Sequence, residues 1–357
     1  MIIILVVVLI IVLIAIYAYE STTSSSSVSS AWKPAAEYPV HLGSDYGIAG
    51  QACGNSSGYI YCIGGEDDNG GPRDNVYSSA SAVSSASWNI SKWVSGAASY
   101  PKPIQGQSCV EYSGDVYCVG GSYDPSQDDV ASSYYAPIEA DGLPGTWQNT
   151  TAYPIPIDTQ SCVASSGYIY CVGGVNETNG FYAESVNSSS VWYAPLSSMG
   201  IGQWALSKAY PTGVYYETCL ASGGYIYCIT GAGSNGSPVS TDYYARLTSE
   251  GVGTWTQTTA YPVSLSGQSC AIYSGDIYCV GGEGSIGSYT NAVYYASISS
   301  GGIGSWVKGG GYPLSVQTTC VSSMGWIYCM GGFDSTSLNE TSATYYASFS
   351  SLSSASG

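Results

Sequence analysis

Charge is scarce in this sequence. Asp, Glu, Lys and Arg make up 9% of the 357 residues, against about a quarter of an average globular protein. Cationic residues are scarcest, 7 Lys and Arg against 24 Asp and Glu, for a net charge of −17. That excludes nucleic acid as a partner, because phosphates must be neutralised by Lys and Arg. Histidine occurs once, at His41. One imidazole leaves no His pair for a metal and little scope for acid–base catalysis by His. Arginine is present only as Arg73 and Arg246, too few for a cluster gripping carboxylate or phosphate. Disorder is excluded in turn, since 45% of the chain is hydrophobic and 35 residues are Tyr.

Only one long apolar run occurs, Ile2 to Ala18. As a helix it would be about 25 Å long, at the short limit for a ~30 Å hydrocarbon core. An uncleaved anchor fits it better than a signal peptide cut near Ala15–Ala18. No Lys or Arg precedes the run, and Ile16 occupies the −3 position of the best cleavage site. Residues 1–19 are therefore expected to form an N-terminal hydrophobic helix, with the membrane as partner. Residues 20–31, nearly all Ser and Thr, read as a flexible linker. Elsewhere no segment shows helical periodicity.

The cysteines fall in six pairs with one spacing, C-x8-C: Cys53/Cys62, Cys109/Cys118, Cys162/Cys171, Cys219/Cys228, Cys270/Cys279 and Cys320/Cys329. Successive pairs start 50–57 residues apart, the mark of a repeat architecture. In repeat two a turn at Ser113-Gly114 would pair Tyr112 with Asp115 and, three steps outward, Cys109 with Cys118. Gly at the second turn position suits a type I′ hairpin. The cysteines then face each other at a non-hydrogen-bonded site, about 4.5 Å between Cα atoms, within disulfide range. Six intra-hairpin disulfides are predicted, rather than metal thiolates, and they imply an oxidising compartment. Asn55, Asn89, Asn149, Asn176, Asn187, Asn235 and Asn339 lie in N-x-S/T sequons, seven of eleven Asn. This excess favours N-glycosylation outside the cell.

Each repeat continues in a fixed order. A diglycine follows the second Cys in five of the six, as in Gly64-Gly65; repeat four has Thr230-Gly231. An aromatic run such as Tyr243-Tyr244-Ala245 comes next, then a Trp such as Trp255, then Tyr-Pro such as Tyr261-Pro262. Diglycine, Tyr and Trp in a repeat of about 50 residues resemble the kelch motif over Trp32 to about Phe349. That resemblance implies an all-β fold, a six-bladed kelch-like β-propeller with four strands per blade. Trp32…Tyr38-Pro39 reads as an orphan fourth strand that closes the last blade. The propeller is expected to span residues 32–349, with 350–357 a flexible tail. Trp88, Trp192 and Trp326 are extra to the motif and are expected to lie between blades.

In kelch-like propellers the loops from second to third strand, and from fourth strand to the next blade, share one face. Those loops hold 17 of the 24 acids. Glu66-Asp67-Asp68 and Asp124/Asp128/Asp129 are the densest groups, candidates for a cation or ligand site; Ca²⁺ is the only cofactor they suggest, without EF-hand spacing. Solvated loops that keep a low-charge chain soluble are the plainer reading. Loop tyrosines Tyr123, Tyr215 and Tyr289 are candidates for contact with a sugar or a protein. No catalytic residue stands out. Galactose-oxidase-like copper sites need several His, and sialidase propellers need three Arg. Six-bladed kelch-like sugar mutarotases are a closer analogy. The reading is a membrane-tethered, extracellular propeller at the cell surface that binds a protein or glycan partner. A carbohydrate-active enzyme and a structural envelope component are the alternatives.

Overall fold

The computed structural model describes residues 31–39, 47–68, 70–79, 83, 88–123, 129–176, 186–285, 287–335, 337 and 339–354. The N-terminal helix expected over 1–19, the linker up to residue 30, and Asp124 and Asp128 lie outside these. Among the described residues no helix is long and apolar enough to cross a membrane.

The chain forms six antiparallel blades of four main strands, A to D from the axis outward. Blade 1 is Ala52–Ser56, Tyr59–Ile63, Val76–Ser79 and Trp93–Ser95. The A strands touch their neighbours in a closed cycle, so the blades form a ring. Each B strand carries a continuous apolar run, as in Tyr59–Ile63, YIYCI, although those of blades 2 and 5 open on Asp115 and Asp276. A lone sheet with one wet face would alternate instead. Here both faces are covered. Ile60 and Cys62 face the apolar cluster shared with blade 6, while Tyr61 and Ile63 face the one shared with blade 2. Six such clusters fill the six seams between blades.

The hairpin register is the expected one. Tyr112 pairs with Asp115, Glu111 with Val116, Val110 with Tyr117 and Cys109 with Cys118. Ser113 and Gly114 both have positive φ, 56° and 87°, as a type I′ turn requires. All six disulfides form, with Cα atoms 4.0–4.1 Å apart, and no cysteine is free. The diglycines have a steric cause. At Gly64 (φ +65°) a Cβ would stand 2.5 Å from the carbonyl oxygen of Ile104 in the loop entering the next blade.

Tyrosine abundance also has a structural account. The B-strand Tyr117, Tyr170, Tyr227 and Tyr328 are buried. Each donates its hydroxyl to a carbonyl in the third-to-fourth-strand connection of the next blade: Ser197, Thr248, Ser299 and Trp88, at 2.6–2.9 Å. A buried ring thus supplies apolar area while its hydroxyl keeps a partner. The Tyr-Pro tyrosines make a second set, edge-on to the next blade's Trp, as in Tyr210 on Trp255 (4.9 Å, 81°). Two of the three extra Trp stack on each other across the closing seam, Trp88 on Trp326 at 5.1 Å.

The ring closes between the chain ends. Lys33–Pro34 is strand D of blade 6, paired with Thr344–Ser348 at Lys33↔Tyr346 and Pro34↔Tyr345.

The expected flexible tail from residue 350 is corrected. Phe349–Ser354 is a helix, α1, with Phe349 and Leu352 buried. Its cause is a gap: blade 6 takes its fourth strand from the N-terminus, so it lacks the connection that covers the preceding seam in other blades. The helix fills that place, and Tyr295 donates its hydroxyl to the Ser353 carbonyl (3.3 Å). Deleting residues 349–357 is expected to cost about 3–5 kcal/mol in urea unfolding, the scale of removing large buried side chains. An unchanged midpoint would show that α1 covers nothing that matters.

Candidate functional site

A funnel of about 850 Å³ opens at the centre of the ring on the face predicted to be acidic. All six blades line it, through the loops entering each A strand and those leaving each B strand. Its wall holds Glu66, Asp158, Glu217, Glu283 and Glu340, and its rings are Tyr215, Tyr216, Tyr289 and Phe333. Among the described residues no Lys or Arg lines it.

The wall is built from one repeated position, two residues before the first Cys of each repeat. It holds Gln51, Gln107, Gln160, Glu217, Gln268 and Thr318, all buried. The four glutamines are clips between blades. Each donates its amide to a carbonyl at the end of the previous blade's B strand: Met330, Ile63, Val119 and Ile229, at 2.8–2.9 Å. Each leaves its Oε1 buried without a hydrogen-bond partner.

Glu217 breaks the pattern. Its Oε1 stands where its sisters hold Nε2: 2.6 Å from the Cβ position of Gly173, against 2.7 Å for Gln160 at Gly120 and 2.9 Å for Gln107 at Gly64. The chain therefore offers an oxygen where the other seams offer a donor. Neither Glu217 oxygen has a well-formed hydrogen bond; only the backbone N–H groups of Glu217 and Ser161 approach the carboxyl. Burial pushes its carboxyl well above the usual range, against the weaker pull of the backbone N–H groups of Glu217 and Ser161. Tyr153 and Tyr210, both buried, feel the Glu217 charge. Beyond Tyr210 lies Asp242, pushed up to about 8 chiefly by burial, although Thr230 N–H donates to its Oδ1 at 3.0 Å.

A pH dependence follows. Both acids have folded-state values above their unfolded ones, so the folded chain binds more protons. Their contribution is full below about pH 4 and is lost as pH rises, through about 8 for Asp242. Glu217→Gln restores the amide clip and removes one of the two groups. Urea unfolding should show the variant more stable by ~1–2 kcal/mol at pH 8, the scale of one buried hydrogen bond, and nearly unchanged at pH 4. An equal effect at both values would contradict a proton on Glu217.

The acids singled out in the sequence separate. Glu66 lines the funnel. Asp67 is fully buried and ion-paired with Arg73, so it serves the fold of its own loop. Asp68 hydrogen-bonds Glu340; burial and that bond push Glu340 up to about 7, with the charges of Asp68 and Glu66 adding. Asp129 bridges to Ser122 away from that group. Among the described residues no three acids or other ligating side chains are placed to hold one metal ion. Tyr215 and Tyr289 line the funnel, while the Tyr123 ring lies under the Lys102 ammonium at 4.7 Å. Of the sequons, Asn89, Asn149, Asn235 and Asn339 are exposed and Asn176 is half-buried. Asn55 is half-buried with Oδ1 accepting from Ser323 (3.2 Å), and Asn187 ends a two-residue strand, Val186–Asn187.

Glu217 and the glutamine ring were not singled out from the sequence. Their signal was present in it, as Gln before x-Cys in repeats one, two, three and five and Glu in repeat four.

Strand order, closed ring and funnel define the class, a six-bladed β-propeller. A solved structure, that of YjhT, has the same fold: TM-score 0.68 at 15% identity, over 87% of this chain and 95% of that one. No family model matches the chain, and no curated protein does.

Proposed function

We propose that this chain is a ligand-binding propeller of the cell surface, tethered by residues 1–19 and holding a protein or glycan partner at its central funnel. One observation carries the reading: all six blades contribute polar and aromatic side chains to one funnel. Such sites combine apolar rings with a few polar groups that fix orientation. Six disulfides and seven sequons support an oxidising, exported setting, and the apolar run supports the tether. The test is binding of the full chain to glycan arrays and to cell surfaces. Binding to either supports the reading; no binding to both defeats it.

A carbohydrate-active enzyme is the second reading. Glu217 favours it: it lines the funnel, burial pushes its carboxyl well above the usual range, and a carboxyl kept neutral can protonate a sugar oxygen. Sugar turnover that disappears on Glu217→Gln would establish it.

A further inference from the structure

We infer that the funnel takes an organic cation, an ammonium or guanidinium group, with Glu217 as its counter-ion. The inference rests on the binding reading above and names the ligand's chemistry.

Charge comes first. Among the described residues five carboxyl groups line the funnel, and none of the chain's seven Lys and Arg does. The cations nearest in sequence to the funnel loops are engaged elsewhere, Arg73 with Asp67 and Lys102 over Tyr123. An anionic ligand would meet repulsion with nothing to pair it. Hydrogen bonding points the same way. Gln51, Gln107, Gln160 and Gln268 each leave Oε1 without a partner, and the Glu217 carboxyl has only the approach of the backbone N–H groups of Glu217 and Ser161. The seams directly behind the wall are therefore rich in buried acceptor oxygens, which favour a cation with N–H donors in the funnel over an anion. Glu217 is 6% exposed, buried deeply enough for a charge partner to count for much more than at the surface.

Shape separates an organic cation from a metal ion. The carboxyl groups are spread over the loops of different blades, and among the described residues no three are placed to share one metal. About 850 Å³ is also far larger than an ion needs. The rings of Tyr215, Tyr216, Tyr289 and Phe333 supply π faces, which attract organic ammonium and guanidinium groups. Without a ligand, burial raises the Glu217 carboxyl well above the usual range and so favours its neutral form, with Tyr153 and Tyr210 near it and Asp242 beyond Tyr210. An arriving cation stabilises the ionised form, so affinity should rise with pH.

The test is calorimetric titration of the full chain at pH 7.5 with paired probes. Glucosamine is set beside N-acetylglucosamine, and Nα-acetyl-lysine amide beside its Nε-acetylated form; glucuronate is the anion. Each charged probe should bind at least tenfold tighter than its acetylated partner, and the tighter of the two charged probes identifies a sugar or a side chain as the source. Glu217→Gln should weaken the charged probes at least tenfold. This variant carries the residue found at four sister positions, so a lost fold is not the expected cause; its urea midpoint checks that. Equal binding of charged and acetylated probes, or tighter binding of glucuronate, overturns the cation inference and leaves the binding reading standing. Failure of every probe overturns it too. The array and cell-surface binding then decides separately whether the binding reading falls with it.

Discussion

Replacing Trp32 with Ala is expected to destabilise the whole ring by about 3–5 kcal/mol, the range for deleting a large buried aromatic. Trp32 is 4% exposed, packs edge-on against Tyr312 at 4.8 Å, and donates its indole N–H to the Gly310 carbonyl at 3.3 Å. It sits between the two ends of the chain, where the ring has no covalent continuity. Deleting residues 1–38 should do more. It removes the fourth strand of blade 6, the hydrogen bonds from Ala35 to Thr344 and from Tyr38 to Ser342, and the packing of Tyr38 on Trp93. The exposed edge of Thr344–Ser348 would then be open to pairing with other chains. Deleting residues 1–25 leaves all of these contacts in place and should leave the urea midpoint unchanged. Equal midpoints for the two deletions would contradict closure by the N-terminal strand.

Removing the six disulfides is expected to abolish the folded state at neutral pH. Each closes a loop of about ten residues, roughly 2–3 kcal/mol in the chain-entropy model. Six such contributions, about 12–18 kcal/mol if additive, match the net stability of a typical domain, about 5–15 kcal/mol. The chain has little to replace them, with 9% charged residues and one described ion pair, Asp67–Arg73. The bonds are also shielded. Cys62, Cys118, Cys171, Cys228, Cys279 and Cys329 are each 0% exposed. Reductant alone should therefore act slowly on the native protein and quickly once urea opens it. A single pair replaced by Ala, such as Cys109 with Cys118, should cost about 2–3 kcal/mol. Retention of native near-ultraviolet circular dichroism after full reduction would contradict the role given to the bonds.

Local features were readable from the sequence, and features made by the closed ring were not. The hairpin register of Cys109–Cys118 follows from one turn and the period of a strand, both within ten residues. Closure by Trp32 was readable because a motif was missing at one end and present at the other. Glu217 was harder. It is one acid among 24, and its meaning appears only beside the glutamines at the same position in other blades. Asp67 misled in the opposite direction. It belongs to the densest acidic run, yet it is buried on Arg73 six residues away. The helix α1 was missed because Ser dominates its sequence, although Phe349 and Leu352 are spaced three apart on one face. Its place depends on a seam left uncovered by ring closure, which no local pattern records.

The most direct test of the binding account locates the partner on the ring. Binding of the full chain to its array or cell-surface target is measured for funnel variants, Tyr216→Ala and Glu217→Gln, and for variants at the other end of the strands, Met199→Ala and Met324→Ala. Tyr216 lines the funnel, whereas Met199 and Met324 are 84% and 62% exposed in the third-to-fourth-strand and first-to-second-strand turns. The account predicts at least tenfold weaker binding for the funnel pair and no change for the methionine pair. Full binding by both funnel variants, or loss confined to the methionine variants, would contradict it.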